Sequence, residues 1–239
     1  MKDAIRDNFD ESPNAYDEYE RRTGRFEALA DRLYDELDRR TSRIGALLDA
    51  GAGSGVSTAV FDERGAAPIA FDLSGRMLRE CPGTIAPRVQ GDFDELPFVG
   101  EAFDAVVFTA SLFLTPDPAR AAREARRVLR PGGGVGAVAP LGWTTLDGDD
   151  VFAPLARDSR SPTGADDVAD ALDANFGVES GEWAFRTTAE DLRAFHAVPA
   201  MAARLYPRLD PDERLGRARE LLSDVEGPLE QRWRWFVGV

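Results

Sequence analysis

Ile44-Gly45-Ala46-Leu47-Leu48-Asp49-Ala50-Gly51-Ala52-Gly53-Ser54-Gly55-Val56-Ser57-Thr58 is the stretch whose reading decides the fold. A short apolar run ends in a carboxylate, passes through three alternating glycines and enters Ser57-Thr58-Ala59-Val60-Phe61, which can open a helix. Apolar strand, glycine turn and helix start make the first βα unit of a nucleotide-binding sheet. Glycines let the backbone turn sharply and approach a ligand that a Cβ would push away. Beyond them, a helix N-terminus offers unpaired N–H groups.

Spacing narrows the ligand. The dinucleotide fingerprint G-x-G-x-x-G/A laid on Gly51 and Gly53 requires a small residue at position 56, which is Val56. A phosphate loop needs a lysine after its last glycine, and the only lysine is Lys2. An acid just before the first glycine repels a phosphate and suits a cation. D-x-G-x-G-x-G over Asp49–Gly55 resembles the first motif of class I S-adenosylmethionine-dependent methyltransferases, of the small-molecule type 11 and 25 kind. Their cofactor carries an ammonium and a sulfonium and no phosphate.

Further segments extend the resemblance over about residues 44–135. Ala67–Ser74 reads as a second strand with Asp72 at its carboxyl end, where parallel sheets bind ligands. An acid roughly 20 residues beyond the glycines is the expected acceptor for ribose hydroxyls, although Asp72 alone also fits a helix N-cap. Asp72-Leu73-Ser74-Gly75-Arg76-Met77-Leu78 resembles the D-x-S-x-x-M-L run of the family. Gly91-Asp92-Phe93-Asp94-Glu95-Leu96-Pro97-Phe98 resembles its G-D-x-x-x-L-P-F segment, in which the Asp receives the adenine amino group. On their own, Asp92 and Phe93 also fit a turn carboxylate and a core aromatic. Phe103–Leu112 reads as a strand buried on both faces, beside the first strand. A helix from Pro118 to Leu129 follows, stopped by Arg130-Pro131-Gly132-Gly133-Gly134, and Val135–Ala139 is the fifth strand.

Flanking regions complete the expected organisation. Residues 1–40 read as a helical lid or packing segment, 41–188 with 227–239 as the methyltransferase core, and 189–226 as a helical cap insertion. Within the first segment, Asn8–Asp17 resembles the F-x-x-x-A-x-x-Y-D run before the first motif, so Tyr16 is either a lid residue or ordinary packing. Residues 141–165 read as loop, 165–175 as helix, 177–186 as the sixth strand, and 231–239 as a last antiparallel strand. The expected fold is α/β: a Rossmann-like, seven-stranded, mostly parallel sheet with helices on both faces. The cofactor residues implied by the resemblance are Asp49, Gly51, Ala52, Gly53, Asp72, Leu73, Met77, Asp92, Phe93, Thr109 and Tyr16.

Composition bounds the rest. Net charge is -14, and 28 of the 29 basic residues are arginine, an acidic, lysine-poor balance that resembles proteins of salt-in halophiles. That charge disfavours nucleic-acid backbones. A single Cys81 and a single His196 leave no intramolecular disulfide and disfavour a zinc site. No apolar run of membrane-spanning length and no leader at Met1–Arg6 is seen, so a cytoplasmic location is expected. Thr109-Ala110-Ser111-Leu112 stands where enzymes acting on base or amide nitrogens carry N/D-P-P-Y/F, which points to a small-molecule methyl acceptor. No catalytic residue is assigned, His196 fitting a packing role better than a catalytic one, and no metal is expected. A catalytically silent cofactor-binding scaffold and an NAD(P)-dependent oxidoreductase stand as alternatives; against the latter, no Tyr-x-x-x-Lys pair exists.

Overall fold

The computed structural model describes residues 2–155 and 163–239. Three helices come first, α1 (Lys2–Asp10), α2 (Pro13–Thr23) and α3 (Arg25–Asp38). The expected βα alternation follows: β1 (Ala46–Ala50), α4 (Val56–Glu63), β2 (Ala67–Asp72), α5 (Gly75–Glu80), β3 (Arg88–Gln90) and β4 (Phe103–Phe108). After a 3-10 turn at Leu112–Leu114 come α6 (Pro118–Val128), β5 (Leu129–Thr145), α7 (Ala165–Asp173) and β6 (Val178–Thr188). Helices α8 (Ala189–His196), α9 (Pro199–Leu205) and α10 (Pro211–Leu221) lead to β7 (Pro228–Gly238).

The strands form one seven-stranded sheet in the order β3-β2-β1-β4-β5-β7-β6. β1 pairs parallel with both β2 and β4, so the chain reverses its direction of travel across the sheet at β1. β7 lies antiparallel between β5 and β6. At the centre, Leu47 and Leu48 of β1 and Ala105, Val106 and Val107 of β4 have no exposed surface, as strands covered on both faces require.

Opposite faces of β5 meet different helices. A Cβ at Gly136 would stand 2.8 Å from Leu37 Cδ1 and 3.3 Å from Leu33 Cδ1, so this glycine lets α3 approach the sheet closely. Val135, on the alternate face, lies near Phe176 just beyond α7, since a Cβ built at Gly238 would meet both side chains. Local caps agree with the helix starts. Ser74 Oγ accepts from Met77 N, Asp117 accepts from Arg120 N, and Thr188 and Asp191 form a reciprocal box at α8.

Several boundaries differ from those read in the sequence. β4 ends at Phe108, not Leu112, because Ala110 takes φ 56 and turns the chain into the 3-10 turn. β5 is longer than Val135–Ala139 at both ends. Its extension to Thr145, through residues read as loop, is paired with β7 from Thr145↔Leu229 to Val135↔Gly238, with a register shift between Pro140 and Gly142. At the other end Leu129 pairs with Phe103 and Gly134 with Ala105, the intervening residues forming an irregularity. The remainder of the 141–165 loop reading falls partly on 156–162, outside the described residues.

Leu33 is fully buried against the sheet. Leu33→Ala is expected to lower unfolding free energy by about 2–5 kcal/mol, measured by chemical denaturation.

Candidate active site

The loop after β1 is shaped by its glycines. Gly51 and Gly53 hold φ 89 and 55, conformations that L side chains rarely adopt. Space also excludes a side chain at Gly51, where a Cβ would lie 2.3 Å from Ser111 Cβ. Gly51 N and Ala52 N donate to Phe71 O at 2.7 and 3.0 Å, so the turn is stitched to the end of β2. Gly53 N donates to Asp72 Oδ2 at 2.9 Å.

Asp72 makes a cap-like contact and also lines a cavity. Its Oδ1 accepts from Ser74 N at 2.7 Å, a cap-like contact ahead of α5. The same carboxylate forms part of the wall of that cavity, which opens to solvent. Each carboxylate oxygen has two lone-pair sites, so both backbone contacts leave acceptor capacity. Burial raises the Asp72 pKa to about 6, against the lowering effect of the Ser74, Gly53 and Leu73 amides.

Of the sequence-predicted residues, Tyr16, Gly51, Gly53, Asp72, Leu73, Met77, Asp92, Phe93 and Thr109 all line this cavity. Asp49 and Ala52 are not in its wall. Asp49 is fully buried behind the loop, its Oδ2 accepting from Ser57 Oγ at 2.7 Å and Thr58 Oγ1 at 2.6 Å in the first turn of α4. Its Oδ1 has no partner among the described residues. Burial raises the Asp49 pKa to about 6, and the neighbouring Asp72 charge adds to the rise. Thr109 Oγ1, buried in the cavity wall, is likewise unpartnered among the described residues.

Asp92 is already engaged. Lys2 Nζ donates to both of its oxygens at 2.7 Å and pairs also with Asp94. Phe93 packs edge-on to Phe108 at 5.4 Å between ring centres. The only lysine of the chain thus ties α1 to the end of β3, while Ser74 Oγ donates to Asp10 Oδ1 at 2.5 Å and Arg214 Nη1 to Asn8 Oδ1 at 2.9 Å. α2 is bound to α8 through Arg22, whose Nε donates to Asp191 Oδ1 at 2.5 Å.

Sequence reasoning missed the far wall. Lys2, Phe9, Phe26, Phe113, Phe195, Met201 and Trp233 line the same cavity. Phe195 and Met201 read as plain packing, and Trp233 only as one position of an alternating strand; no local signal marks them as lining. Lys2, unique of its type, was the one position with a compositional signal. His196 is buried and absent from the wall. Its Nδ1 lies 2.9 Å from Leu192 O, with its ring against Phe152, Trp143 and Phe195.

The segment that carries this rim, residues 48–136, matches the family model described as a methyltransferase domain. The likeness to that family is confined to residues 48–136, less than half of the chain. A demethylmenaquinone methyltransferase of Mycolicibacterium paratuberculosis is 42% identical over 86 residues, 36% of this chain and 37% of the relative. One from Corynebacterium kroppenstedtii is 40% identical over 86 residues, 36% of this chain and 38% of the relative. The match therefore spans well under half the length of these curated relatives. Among solved structures, a Bacillus halodurans protein described as a methyltransferase aligns with TM-score 0.57 at 19% identity, covering 85% of this chain and 96% of that one. The [4+2]-cyclase SpnF aligns with TM-score 0.52 at 20% identity, covering 87% and 80%. Such likenesses show the fold, and the matched segment carries its glycine loop at the switch point of the sheet.

Asp49 supplies a pH test. A carboxyl whose folded pKa lies at about 6, above its ordinary 3.8, costs stability as pH rises between those values, because only the unfolded chain releases the proton freely. The stability difference between Asp49→Asn and the unchanged protein is therefore expected to move in the variant's favour by on the order of 2–3 kcal/mol from about pH 4 to about pH 7. Denaturation curves at a series of pH values check this, and a difference flat with pH contradicts it.

Proposed function

We propose that the chain is an S-adenosylmethionine-dependent methyltransferase that acts on a small molecule. One observation carries the reading: a single cavity joins the glycine turn, Asp72 and Asp92 at three neighbouring strand ends to a chamber under the flanking helices. The residues present fit the cofactor. Gly51, without room for a Cβ, leaves a close backbone approach, and Thr109 Oγ1, buried in the cavity wall, lacks a partner among the described residues that a ligand with ammonium or hydroxyl groups would supply. When bound, the cofactor supplies an activated methyl group on a sulfonium sulfur.

In this reading Gly51 and Gly53 hold the methionine end, Asp72 accepts from the ribose hydroxyls, and Leu73, Met77 and Phe93 flank the adenine. Asp92 faces the adenine edge, with Lys2 steadying its carboxylate. Tyr16, stacked on Phe26 at 4.6 Å, closes the opposite side. Burial pushes the Tyr16 hydroxyl well above its ordinary pKa, so it stays neutral and can donate. The protein's part is to align donor and acceptor and to exclude water. Residues of α1, α2, α8 and α9 line the cavity, which supports a lid-and-cap division of 1–40 and 189–226 around the core. The acidic, lysine-poor composition supports a concentrated-salt cytoplasm as the working environment.

Calorimetric titration with S-adenosylhomocysteine tests the reading in both dilute and concentrated salt. Saturable binding is expected, weakened roughly tenfold or more in Asp72→Ala, the scale of a lost hydrogen bond to a charged group. Affinity should also fall as pH drops through about 6, where Asp72 takes up its proton. No binding at either salt concentration overturns the proposal. Formation of S-adenosylhomocysteine from the methyl donor across an acceptor panel then separates an enzyme from a silent binder.

A further inference from the structure

The cofactor residues account for one side of the cavity, and the other side has its own chemistry. Phe9, Tyr16, Phe26, Phe113, Phe195 and Trp233 contribute six aromatic rings from α1, α2, α3, the 3-10 turn, α8 and β7. Tyr16 and Phe26 are stacked with only 8° between their planes, which presents flat apolar surface. Charge is nearly absent from this wall. Among the described residues Lys2 is the one basic group lining the cavity, and Asp92 and Asp94 hold it. An anionic ligand would therefore enter without a counter-ion, beside the Asp72 carboxylate, and buried unpaired charge is strongly disfavoured.

Trp233 adds a directional requirement. It is the largest fully buried side chain, it lies mid-strand in β7 opposite Pro140 of β5 and Trp183 of β6, and it forms part of the cavity wall. Its indole Nε1 has no hydrogen-bond partner among the described residues. An indole N–H only donates, and a buried donor without a partner is costly. A ligand in this wall can remove that cost only by presenting an acceptor atom.

We infer that the aromatic side of the cavity binds the methyl acceptor as a flat, uncharged, largely apolar molecule carrying an oxygen acceptor, and that Trp233 Nε1–H is the donor that orients it. The acceptor role of this ligand rests on the methyltransferase reading above; the binding chemistry does not. Aromatic rings supply area with little loss of side-chain freedom, and the single donor selects orientation.

The probes are 1-naphthol, naphthalene, 1-naphthoate and N,N,N-trimethyl-1-naphthylammonium, titrated into the full chain saturated with S-adenosylhomocysteine. Expected is tighter binding of 1-naphthol than of naphthalene by about tenfold, the scale of one hydrogen bond, with both charged probes weaker still. Trp233→Phe keeps a flat ring and removes the N–H. It is expected to bring 1-naphthol down to the affinity of naphthalene while S-adenosylhomocysteine affinity stays unchanged. Equal binding of 1-naphthol and naphthalene by the unchanged protein overturns the inference even if the variant does not fold. Preference for the carboxylate or the ammonium probe overturns it as well, the latter in favour of a cation held over the rings. Absence of S-adenosylhomocysteine binding rejects the cofactor reading instead, and naphthol titration without it still reports on Trp233.

Discussion

The structure depends on how the turn after β1 is held. Gly51 N and Ala52 N bond to Phe71 O at the end of β2, and Gly53 N bonds to the Asp72 carboxylate one residue later. These contacts weld the ends of two adjacent parallel strands into one rim. Left-handed backbone at Gly51 and Gly53 makes the path available, and the close approach of Ser111 leaves no room for a side chain at Gly51. Ser111 Oγ in turn donates to Ala50 O at 2.6 Å, which draws the end of β4 into the same rim. The cavity floor is thus built from three strand ends that constrain one another.

Carboxylates at that rim are kept at a cost. Burial raises both Asp49 and Asp72 to a pKa of about 6, and among the described residues neither has a basic side chain bonded to it. Backbone amides and hydroxyls serve them instead. Such an arrangement disfavours the folded chain near neutral pH, and of the two only Asp72 stands in the cavity wall. Asp92 differs because Lys2 neutralises it. That pair also joins the first helix to the floor, so the roof is fastened to the chemistry below it and not only to the body of the protein.

Legibility in the sequence followed the range of the interactions. The βα units, the glycine turn and the strand-end acids stood out because each is written in ten or fifteen consecutive residues, and Gly51, Gly53, Asp72, Asp92 and Phe93 all reach the cavity. Asp49 stood out equally, yet its side chain turns behind the loop to Ser57 and Thr58. Strand lengths misled where pairing outweighed propensity: Pro140 and Gly142 look like loop, and only the β7 ladder makes that stretch extended. The end of β4 was misread for the opposite reason, since an apolar run does not reveal the left-handed turn at Ala110.

By itself, then, the sequence determined the parallel α/β order, the place of the switch point and the glycine rim that lies there. Period, turn chemistry and motif spacing act over short distances along the chain, so they survive without coordinates. Tertiary structure alone decided the far wall. Phe113, Phe195 and Trp233 lie far apart along the chain, and each reads locally as an ordinary packing residue. Folding brings them together around one cavity and leaves the Trp233 N–H buried with no partner among the described residues, a property of the assembled wall that no segment carries alone.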